Sequence, residues 1–565
     1  MKLNIPVLAI LCMVSINSHA QYSPYFEVEF DSTWTENGLG VVQMPNGNYL
    51  AVGENTPSLP APAAANVAVT NINGKLLSYV TYQPNSNDLI FNDIVMVSEN
   101  AFAFCGFGKN FGEKHNNTCF GFIDSLGKVV KMKWVGDSII GSSVLGMVYA
   151  KNDGFVLAGT QFTTSRIPYL IKLDTAGNEQ WAYTYPILDC YDSDFTDIAL
   201  APDGNYIVVG RKCLIVSSNN TGMAFICKIN TKGDLLWYKY FEMDDYTAFA
   251  HIAVDDDNNY YITGIKTHIN WKNGFVMKLD SNRNIVWIDN SFKNGSSLSV
   301  SMLMPNDELV VVGQTIVGTK LDMTIRKYNT AGEIKWARTY GGPDKHDYGY
   351  DAKLTAHGGF IITGRKESGT VGSNLWLVST NCMGLLTEPQ ASYEIAQNEG
   401  LTLTLKNTSQ YVYPDSIDGG FYVVDWGDGS KDTITTDKEP TLTHTYAQYG
   451  TYNVVLYGWV CNDLSVYGQR MGVWPVGIEN SPSSRAVSTN PAHQTATLTL
   501  NPNYTHLIHQ GETLEIFNTQ GQLVKTIPLS GFETTTFTTA NLISGIYYCR
   551  LQNHPEIEGV KMVVW

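Results

Sequence analysis

The residues with the clearest potential for chemistry recur at a fixed distance from a repeated glycine. Thirteen residues before each of seven regularly spaced glycines stand Gly40, Asp93, Gly146, Asp197, His251, Val300 and Asp351. Because the offset is constant, we expect these positions to form one ring, in which three carboxylates and one imidazole converge. Such a ring could bind a cation or a polar ligand in a central channel. The alternative is that each Asp only hydrogen-bonds a neighbouring turn.

Established catalytic motifs do not occur elsewhere in the sequence. There is no His-Glu-x-x-His, no Gly-x-Ser-x-Gly, no phosphate-binding loop and no dinucleotide fingerprint. The acidic run at 255–257 lacks the alternating spacing of a calcium loop and occupies a repeated turn, so we interpret it as solvated. We therefore predict no catalytic residues, no metal site and no cofactor. Calcium would suit the ring chemically, but no motif supports it.

The seven glycines that define the ring each end a turn followed by a β-type run. They are Gly53, Gly106, Gly159, Gly210, Gly264, Gly313 and Gly364. A second turn and another apolar run follow, so each unit of roughly 50 residues contains about four short strands. Such sheets bury both faces by stacking radially. We predict an all-β fold that starts with a seven-bladed β-propeller over residues 21–387; a linear array of repeats is the alternative.

Two further features of the repeats predict how the propeller packs and closes. In four units a Trp follows the second turn, and we expect these rings to be buried between blades: Trp181, Trp237, Trp287 and Trp336. The last unit lacks this strand, whereas residues 25–30 supply an unassigned β-type run at the other end. We therefore expect the N-terminal strand to complete the last blade and to remove its open edge.

Composition and the N-terminus indicate an exported protein. The 565 residues are 44% apolar and 16% charged, with a net charge of −16, which disfavours nucleic-acid binding. Residues 1–20 have the Lys2 charge, the apolar segment and the Ser-His-Ala cleavage site of a signal peptide. The mature chain contains no apolar run long enough to span a bilayer.

The cysteines predict disulfides in an oxidising compartment. Of nine cysteines, Cys12 lies in the signal peptide and eight remain. Cys105 and Cys119 are 14 residues apart and flank a predicted hairpin, and so do Cys213 and Cys227. We predict a disulfide in each pair, with separate buried thiols as the alternative.

Three segments resemble known families. The repeats, for example 336–344 (Trp-Ala-Arg-Thr-Tyr-Gly-Gly-Pro-Asp) and 358–364, resemble the propeller repeats of secreted Bacteroidota proteins. Residues 388–475 contain 425–430 (Asp-Trp-Gly-Asp-Gly-Ser) and 444–456, and they resemble a polycystic-kidney-disease (PKD) module. This resemblance implies an immunoglobulin-like sandwich with Trp426 in its core, acting as a spacer or adhesion module.

The C-terminal residues resemble the sorting domain of the type IX secretion system. A linker at 476–489 leads into residues 490–565, where 514–524 and 542–548 (Leu-Ile-Ser-Gly-Ile-Tyr-Tyr) carry the resemblance. It implies a small β-sandwich, contact with the type IX machinery, and passage through the outer membrane. Removal of the domain with release, or with attachment to a surface glycolipid, would follow.

Together these features favour a secreted or surface protein that works by binding and adhesion. We expect loops such as 186–195 and 341–348, which carry Asp, Tyr and His, to recognise an extracellular glycan or protein. A polysaccharide-acting hydrolase or lyase with its site in the propeller mouth is one alternative. A structural surface or gliding-associated protein without a ligand is another.

Overall fold

The computed structural model describes most of the chain as β structure. The described residues are 24–30, 35–56, 62–83, 88–109, 115–137, 139–186, 192–216, 219–243, 246–268, 271–292, 295–367, 372–412, 420–436, 441–461, 463–473, 485–488, 495–500, 512–529, 534–554 and 559–564. Within these ranges all regular elements are strands, so the fold is all-β and propeller-like. The predicted signal peptide at 1–20 lies outside the described residues.

Strand pairing places the described strands between 26 and 380 in four four-stranded sheets and one twelve-stranded sheet. The twelve-stranded sheet consists of three antiparallel groups of four strands, which are joined by single parallel pairs, Arg166 with Asp192 and Gly222 with Tyr246. We number the groups of four strands as sheets 1 to 7. Sheet 1 comprises β2 (Thr35–Gln43), β3 (Tyr49–Thr56), β4 (Ala64–Thr70) and β5 (Leu76–Tyr82). Sheet 2 comprises β6 (Leu89–Ser98), β7 (Ala101–Gly108), β8 (Asn117–Asp124) and β9 (Val129–Val135). Sheet 3 comprises β10 (Gly141–Ala150), β11 (Gly154–Phe162), β12 (Arg166–Leu173) and β13 (Glu179–Thr184). Sheet 4 comprises β14 (Asp192–Leu200), β15 (Tyr206–Val216), β16 (Asn219–Ile229) and β17 (Leu235–Phe241). Sheet 5 comprises β18 (Tyr246–Val254), β19 (Tyr260–His268), β20 (Trp271–Leu279) and β21 (Ile285–Asp289). Sheet 6 comprises β22 (Ser297–Leu303), β23 (Leu309–Val317), β24 (Lys320–Tyr328) and β25 (Ile334–Tyr340).

The seventh sheet combines the two ends of this region. It contains β26 (Asp347–Leu354), β27 (Phe360–Glu367), β28 (Ser373–Thr380) and the N-terminal strand β1 (Phe26–Phe30). β1 pairs antiparallel with β28, from Phe26 opposite Ser379 to Phe30 opposite Leu375. The last strand of the circle therefore comes from the start of the chain.

Hydrophobic cores between consecutive sheets hold the array together. Each of the seven cores draws its buried side chains from two neighbouring sheets. The core that joins sheet 7 to sheet 1 contains Phe30, Val41, Ile361 and Leu377. Because each sheet covers both of its faces with neighbours, the stacking closes on itself.

The recurrent Trp residues pack differently from the prediction. Trp336 is buried, but Trp181 and Trp287 are only half-buried on the outermost strands. Their rings contact the second turn of the next sheet: a Cβ on Gly332, whose φ is +85°, would lie 2.5 Å from the Trp287 ring. The Trp ring packs directly against the turn glycine, since only a residue without a side chain allows the ring to come this close to the backbone.

Two smaller β-sandwiches follow the array. The middle sandwich (residues 393–473) packs β29 (Tyr393–Glu399), β30 (Thr402–Asn407) and β33 (Thr441–Thr445) against β31 (Phe421–Asp425), β32 (Lys431–Ile434), β34 (Gly450–Val460) and β35 (Asp463–Val473). The tail sandwich (residues 485–564) packs β36 (Arg485–Ser488), β37 (Thr495–Leu500) and β40 (Thr534–Thr538) against β38 (Thr513–Asn518), β39 (Leu523–Pro528), β41 (Gly545–Leu551) and β42 (Val560–Val564). Trp426 is fully buried in the middle core.

Part of the predicted linker at 476–489 belongs to the tail sandwich. Residues 485–488 form β36, which pairs with β37, whereas 476–484 and 489 lie outside the described residues. The middle and tail sandwiches also touch directly, because Met471 and Gln522 form an antiparallel bridge. Beside this bridge the buried Glu515 carboxylate lies between Arg470, at 2.6 Å, and Arg550, at 3.3 Å.

The two predicted disulfides are not formed. Cys105 and Cys119 are free buried thiols, and their strands are offset by one residue, with Cys105 opposite Phe120. Because successive side chains point to opposite faces, the two thiols lie in different cores. Cys227 is also a free buried thiol and pairs with Val208, five positions along β15 from Cys213. The side chain of Cys213 lies outside the described residues.

The observed disulfide joins the propeller-like array to the middle sandwich. Cys382, just after β28, bonds to Cys461 in the hairpin turn between β34 and β35. The same hairpin accepts a hydrogen bond from the Tyr25 hydroxyl at the Asp463 carboxylate. Met383 inserts into the core of the middle sandwich. One hairpin therefore holds the residue before β1 and the residues after β28, which lie at the same end of sheet 7.

Removal of this disulfide should destabilise the junction. Cys382→Ser/Cys461→Ser should lower the free energy of unfolding by about 4 kcal/mol, since the cross-link closes a loop with a sequence separation of 79. Urea unfolding followed by Trp fluorescence measures the effect. A reducing agent should bring the native chain to the stability of the double variant and leave the variant unchanged. Equal midpoints for the oxidised native chain and the variant would contradict this assignment.

Candidate functional site

A β-bulge shapes the innermost strand of every sheet at the same position. In each pairing of the first and second strands the register shifts by one residue immediately before the ring position. The extra residues are Leu39, Asn92, Leu145, Thr196, Ala250, Ser299 and Tyr350. A bulge bends the strand and redirects side chains. Here the bulge residue of each sheet borders the central channel, and so does the ring residue that follows it in every sheet except sheet 1.

The ring residues line one central cavity. Asp93, Asp197, His251 and Asp351 all border a space of about 220 Å³, together with Lys353. All seven bulge residues border this space as well as a wider one of about 420 Å³, which also reaches Arg211 and Lys272. The two spaces form a funnel with a polar floor, and the four residues singled out by the repeat lie together at that floor.

Each ring group also ties its sheet to the next one. Asp93 accepts a hydrogen bond from the Met147 N–H at 2.9 Å, and Asp197 accepts one from the Ile252 N–H at 2.8 Å. Asp351 accepts one from the Val41 N–H at 3.0 Å. His251 Nδ1 accepts one from the Ser301 N–H at 3.2 Å. These bonds join sheets 2 to 3, 4 to 5, 7 to 1 and 5 to 6. The carboxylates therefore bond the neighbouring inner strand rather than a turn.

Glycine at ring positions leaves room for a neighbouring carboxylate. A Cβ on Gly146 would lie 2.7 Å from the Asp197 Oδ1 atom. A Cβ on Gly40 would lie 3.2 Å from the Cα of Asp93. The alternation of Gly and Asp around part of the ring is thus a packing requirement of the narrow floor.

Burial and mutual charge shift the protonation of the floor. Burial raises the pKa of Asp93 from 3.8 to about 7, opposed by Lys353 and assisted by the carboxylates of Asp351 and Asp197. The pKa of Asp197 is also raised to about 7, chiefly by burial and against the Ile252 N–H bond. Burial, followed by the Lys353 charge, lowers the pKa of His251 to about 4. Near neutral pH the floor thus holds two carboxyls close to their titration point and an uncharged imidazole.

Lys353 is a site residue that sequence reasoning missed. Its Nζ lies 2.6 and 2.8 Å from the two carboxylate oxygens of Asp351, and neighbouring carboxylates raise its pKa. The repeat contains a signal for this residue. Lys353 lies two residues after its ring residue, Asp351, and the equivalent residues in the other six sheets are all apolar: Val42, Val95, Val148, Ala199, Ala253 and Met302. A lysine at an otherwise apolar position marks the one sheet that differs.

Tyr350 is the second residue that was missed. It is the single aromatic bulge residue, and its ring runs parallel to that of Tyr348, with centroids 6.2 Å apart and an interplanar angle of 12°. The Arg365 guanidinium lies 4.1 Å from the centre of the Tyr348 ring. Alternation along a strand places residues 348 and 350 on the same face, but the bulge that turns Tyr350 towards the cavity has no signal in the sequence.

The predicted recognition loops contribute less. In loop 341–348 the Asp347 carboxylate accepts hydrogen bonds from the Gly342 and Glu367 N–H groups, both at 3.1 Å. His346 Nδ1 accepts one from the Leu321 N–H at 3.1 Å. These groups hold the loop itself. Of loop 186–195, residues 187–191 lie outside the described residues.

The floor does not fit a calcium ion. Within the part of the chain that the structure describes, no three His, Cys, Asp or Glu side chains come together as a metal site. Calcium takes six to eight oxygen ligands. The ring carboxylates instead accept backbone N–H bonds, and Lys353 occupies the Asp351 carboxylate.

Comparison with known proteins defines the class of the tail. Residues 489–565 match the family model described as a secretion system C-terminal sorting domain. This is the sorting domain of type IX secretion, so the protein is secreted or displayed on the outer-membrane surface and interacts with the type IX machinery. No helix in the described ranges could cross a membrane. No curated protein matches the chain.

Solved structures resemble the propeller-like region at low identity. The extracellular domain of a hybrid two-component system from B. thetaiotaomicron is 11% identical with a TM-score of 0.38; the match covers 80% of this chain and 58% of that one. An ulvan lyase, a polysaccharide lyase, is 9% identical with a TM-score of 0.43, covering 64% and 98%. The propeller domain of the Trilobed protease from Pyrococcus furiosus is 9% identical with a TM-score of 0.36, covering 64% and 97%.

The floor carboxyls should make stability depend on pH. Because folding raises the pKa of Asp93 and Asp197, the stability they contribute is lost as the pH rises from about 4 to about 7. The lowered pKa of His251 acts oppositely, since its contribution is lost as the pH falls from 6.5 towards about 4. Asp93→Asn mimics the protonated acid. Its free energy of unfolding, relative to that of the native chain, should therefore rise with pH by up to about 1.4 kcal/mol per pH unit across this range.

Chemical denaturation between pH 4 and pH 8 measures this difference. Asp93→Ala is the matched comparison, because it removes both the titrating group and the acceptor for the Met147 N–H. It should show the same pH slope as Asp93→Asn but lower stability at every pH. Parallel profiles for the native chain and Asp93→Asn would rule out a titrating Asp93.

Proposed function

We propose that the protein is an exported binding or adhesion protein whose propeller recognises an extracellular glycan or protein. In this proposal residues 1–20 are a signal peptide and 21–387 form a closed seven-bladed propeller. Residues 388–475 are a PKD-like module, and 490–565 direct type IX secretion and surface attachment. The seven sheets, the seven inter-sheet cores and the pairing of β1 with β28 support the blade count. The two-sheet middle sandwich with buried Trp426 supports the PKD-like assignment.

The central funnel carries the binding proposal. Its wide part is lined by Tyr350, Ser299 and Lys272, and by Asn92 and Thr196. The Asn92 amide also donates to the Val144 carbonyl, and the Thr196 hydroxyl donates to the Phe249 carbonyl. Residues with an apolar ring and a polar edge, mixed with small polar groups, suit ligands that present both hydroxyl and C–H surface. Saccharides combine these two kinds of surface, so a glycan is the favoured ligand.

Glycan-array binding by the mature full-length chain tests this function. Tyr350→Ala should weaken binding of an array hit about tenfold or more, because the aromatic surface of the funnel is lost. Tyr238→Ala is the matched control, since Tyr238 is an exposed tyrosine on the outer strand of sheet 4, away from the funnel. Equal loss in both variants, or binding that Tyr350→Ala leaves intact, would place recognition elsewhere. No glycan hit would leave a protein partner or a purely structural role.

A polysaccharide-acting enzyme is the second candidate because of the floor carboxyls. A general acid or base works best with a pKa near the working pH, and the pKa values of Asp93 and Asp197 are raised to about 7. A hydrolase would release new reducing ends, and a lyase would also form unsaturated products that absorb ultraviolet light. If the protein is an enzyme, Asp93→Asn or Asp197→Asn should abolish product formation while glycan binding persists. Activity that survives both changes would exclude the floor as the catalytic site.

A further inference from the structure

The outer face of one sheet in the middle sandwich is unusually apolar. An antiparallel sheet with one buried face normally presents polar side chains on the other. In β31, β34 and β35 the inward side chains, such as Tyr422, Val424 and Leu456, fill the core. The outward side chains are also apolar over most of the sheet: Phe421, Val423, Val455, Tyr457, Trp459, Leu464 and Val466. We call these seven residues the aromatic strip.

The strand register makes the aromatic strip one continuous surface. Trp459 stands opposite Phe421 on one side and Leu464 on the other. In the next row Tyr457 stands between Val423 and Val466. The Phe421 and Trp459 rings are nearly parallel, at an interplanar angle of 16° with centroids 6.3 Å apart.

The strip is open to solvent. Val466 is 54% exposed, Leu464 is 43% exposed and Phe421 is 40% exposed. Large apolar side chains grouped in this way on a solvent face indicate a recognition surface. The strip is therefore a partly exposed apolar surface that carries two nearly parallel aromatic rings.

Charges around the strip are already neutralised. At one margin the Lys431 ammonium lies 2.8 Å from the Asp425 carboxylate. At the end towards the tail sandwich, Arg470 binds Glu515 and Thr451 receives a hydrogen bond from Arg550. The tail sandwich thus takes the polar end of the face, and the charged groups named here, all among the described residues, are already paired.

The strip is too small for a stable contact with a second copy of the chain. Stable protein interfaces use about 20 to 30 residues and about 800 Å² on each partner, whereas the strip has seven side chains. A ligand that fits it must be narrow and flat, with C–H groups facing the rings. Pyranose rings in a neutral polysaccharide chain have this shape, because their axial C–H groups form an apolar face.

We propose that the aromatic strip binds a neutral polysaccharide, at a site separate from the propeller funnel. Trp459 and Tyr457 stack against successive sugar rings, and Phe421 extends the platform next to Trp459. The flanking aliphatic side chains exclude water. The site needs neither the floor carboxyls nor the Tyr350 ring, so it stands independently of the function proposed for the funnel.

Binding of the mature full-length chain to insoluble cellulose and chitin, with soluble xylan and alginate alongside, tests the site. The native chain should bind at least one of the three neutral polymers and should not bind alginate, a polyuronate. Trp459→Ala should weaken that binding about tenfold or more, which corresponds to about 1.4 kcal/mol. Trp181→Ala, on the outer strand of sheet 3, is the matched control and should bind as the native chain does.

Three results would overturn the proposal. One is that no neutral polymer is bound, and another is that Trp459→Ala binds as well as the native chain. The third is that size-exclusion chromatography with light scattering shows a dimer that Trp459→Ala dissociates, because the strip would then serve a second copy. Since Trp459 is only partly buried, near-ultraviolet circular dichroism of the variant separates loss of binding from loss of folding.

Discussion

The whole propeller-like array depends on the need of every sheet to cover both of its faces. A four-stranded sheet has no core of its own, and each hydrophobic core here lies between two consecutive sheets. The requirement can be met at the ends only if sheet 7 packs against sheet 1. That contact needs β1, because Phe30 belongs to the core that joins them. The middle sandwich reinforces this point, since its hairpin bonds to Cys382 and to Tyr25 at the same end of sheet 7.

The chemistry of the central floor follows from closure. Narrowing of the channel brings Asp93, Asp197 and Asp351 into one cavity. Burial there disfavours the charged forms of Asp93 and Asp197 and raises their pKa. Their hydrogen bonds to neighbouring inner strands offset part of the unfavourable free energy of burial and join the sheets to one another. Groups held for structural reasons thereby acquire unusual protonation at the bottom of an open funnel. A ligand that enters the funnel meets a rim of bulge residues first and the floor afterwards.

Much of this arrangement could be predicted from the repeat, and some of it could not. Constant spacing places Asp93, Asp197, His251 and Asp351 at equivalent positions, and they line one cavity. The bulge before each of them is invisible in the sequence, because an extra residue changes the register without changing the residue types. The proposed pairing of Cys105 with Cys119 was wrong for a related reason, since an offset of one residue sends two thiols to opposite faces. The Cys382–Cys461 bond links two modules, and hairpin spacing contains no information about such a contact.

Closure of the circle of sheets by the N-terminal strand can be measured directly. Hydrogen–deuterium exchange on the mature, oxidised chain tests it at the backbone amides of Phe26–Phe30. The β1 amides that bond β28 should be protected to a degree comparable to those of the other outermost strands, such as β5, because β1 pairs along its whole length with β28 and contributes to a buried core. Exchange of β1 at the rate of an unstructured segment, with β27 still protected, would show that the circle is open and that β1 does not close it.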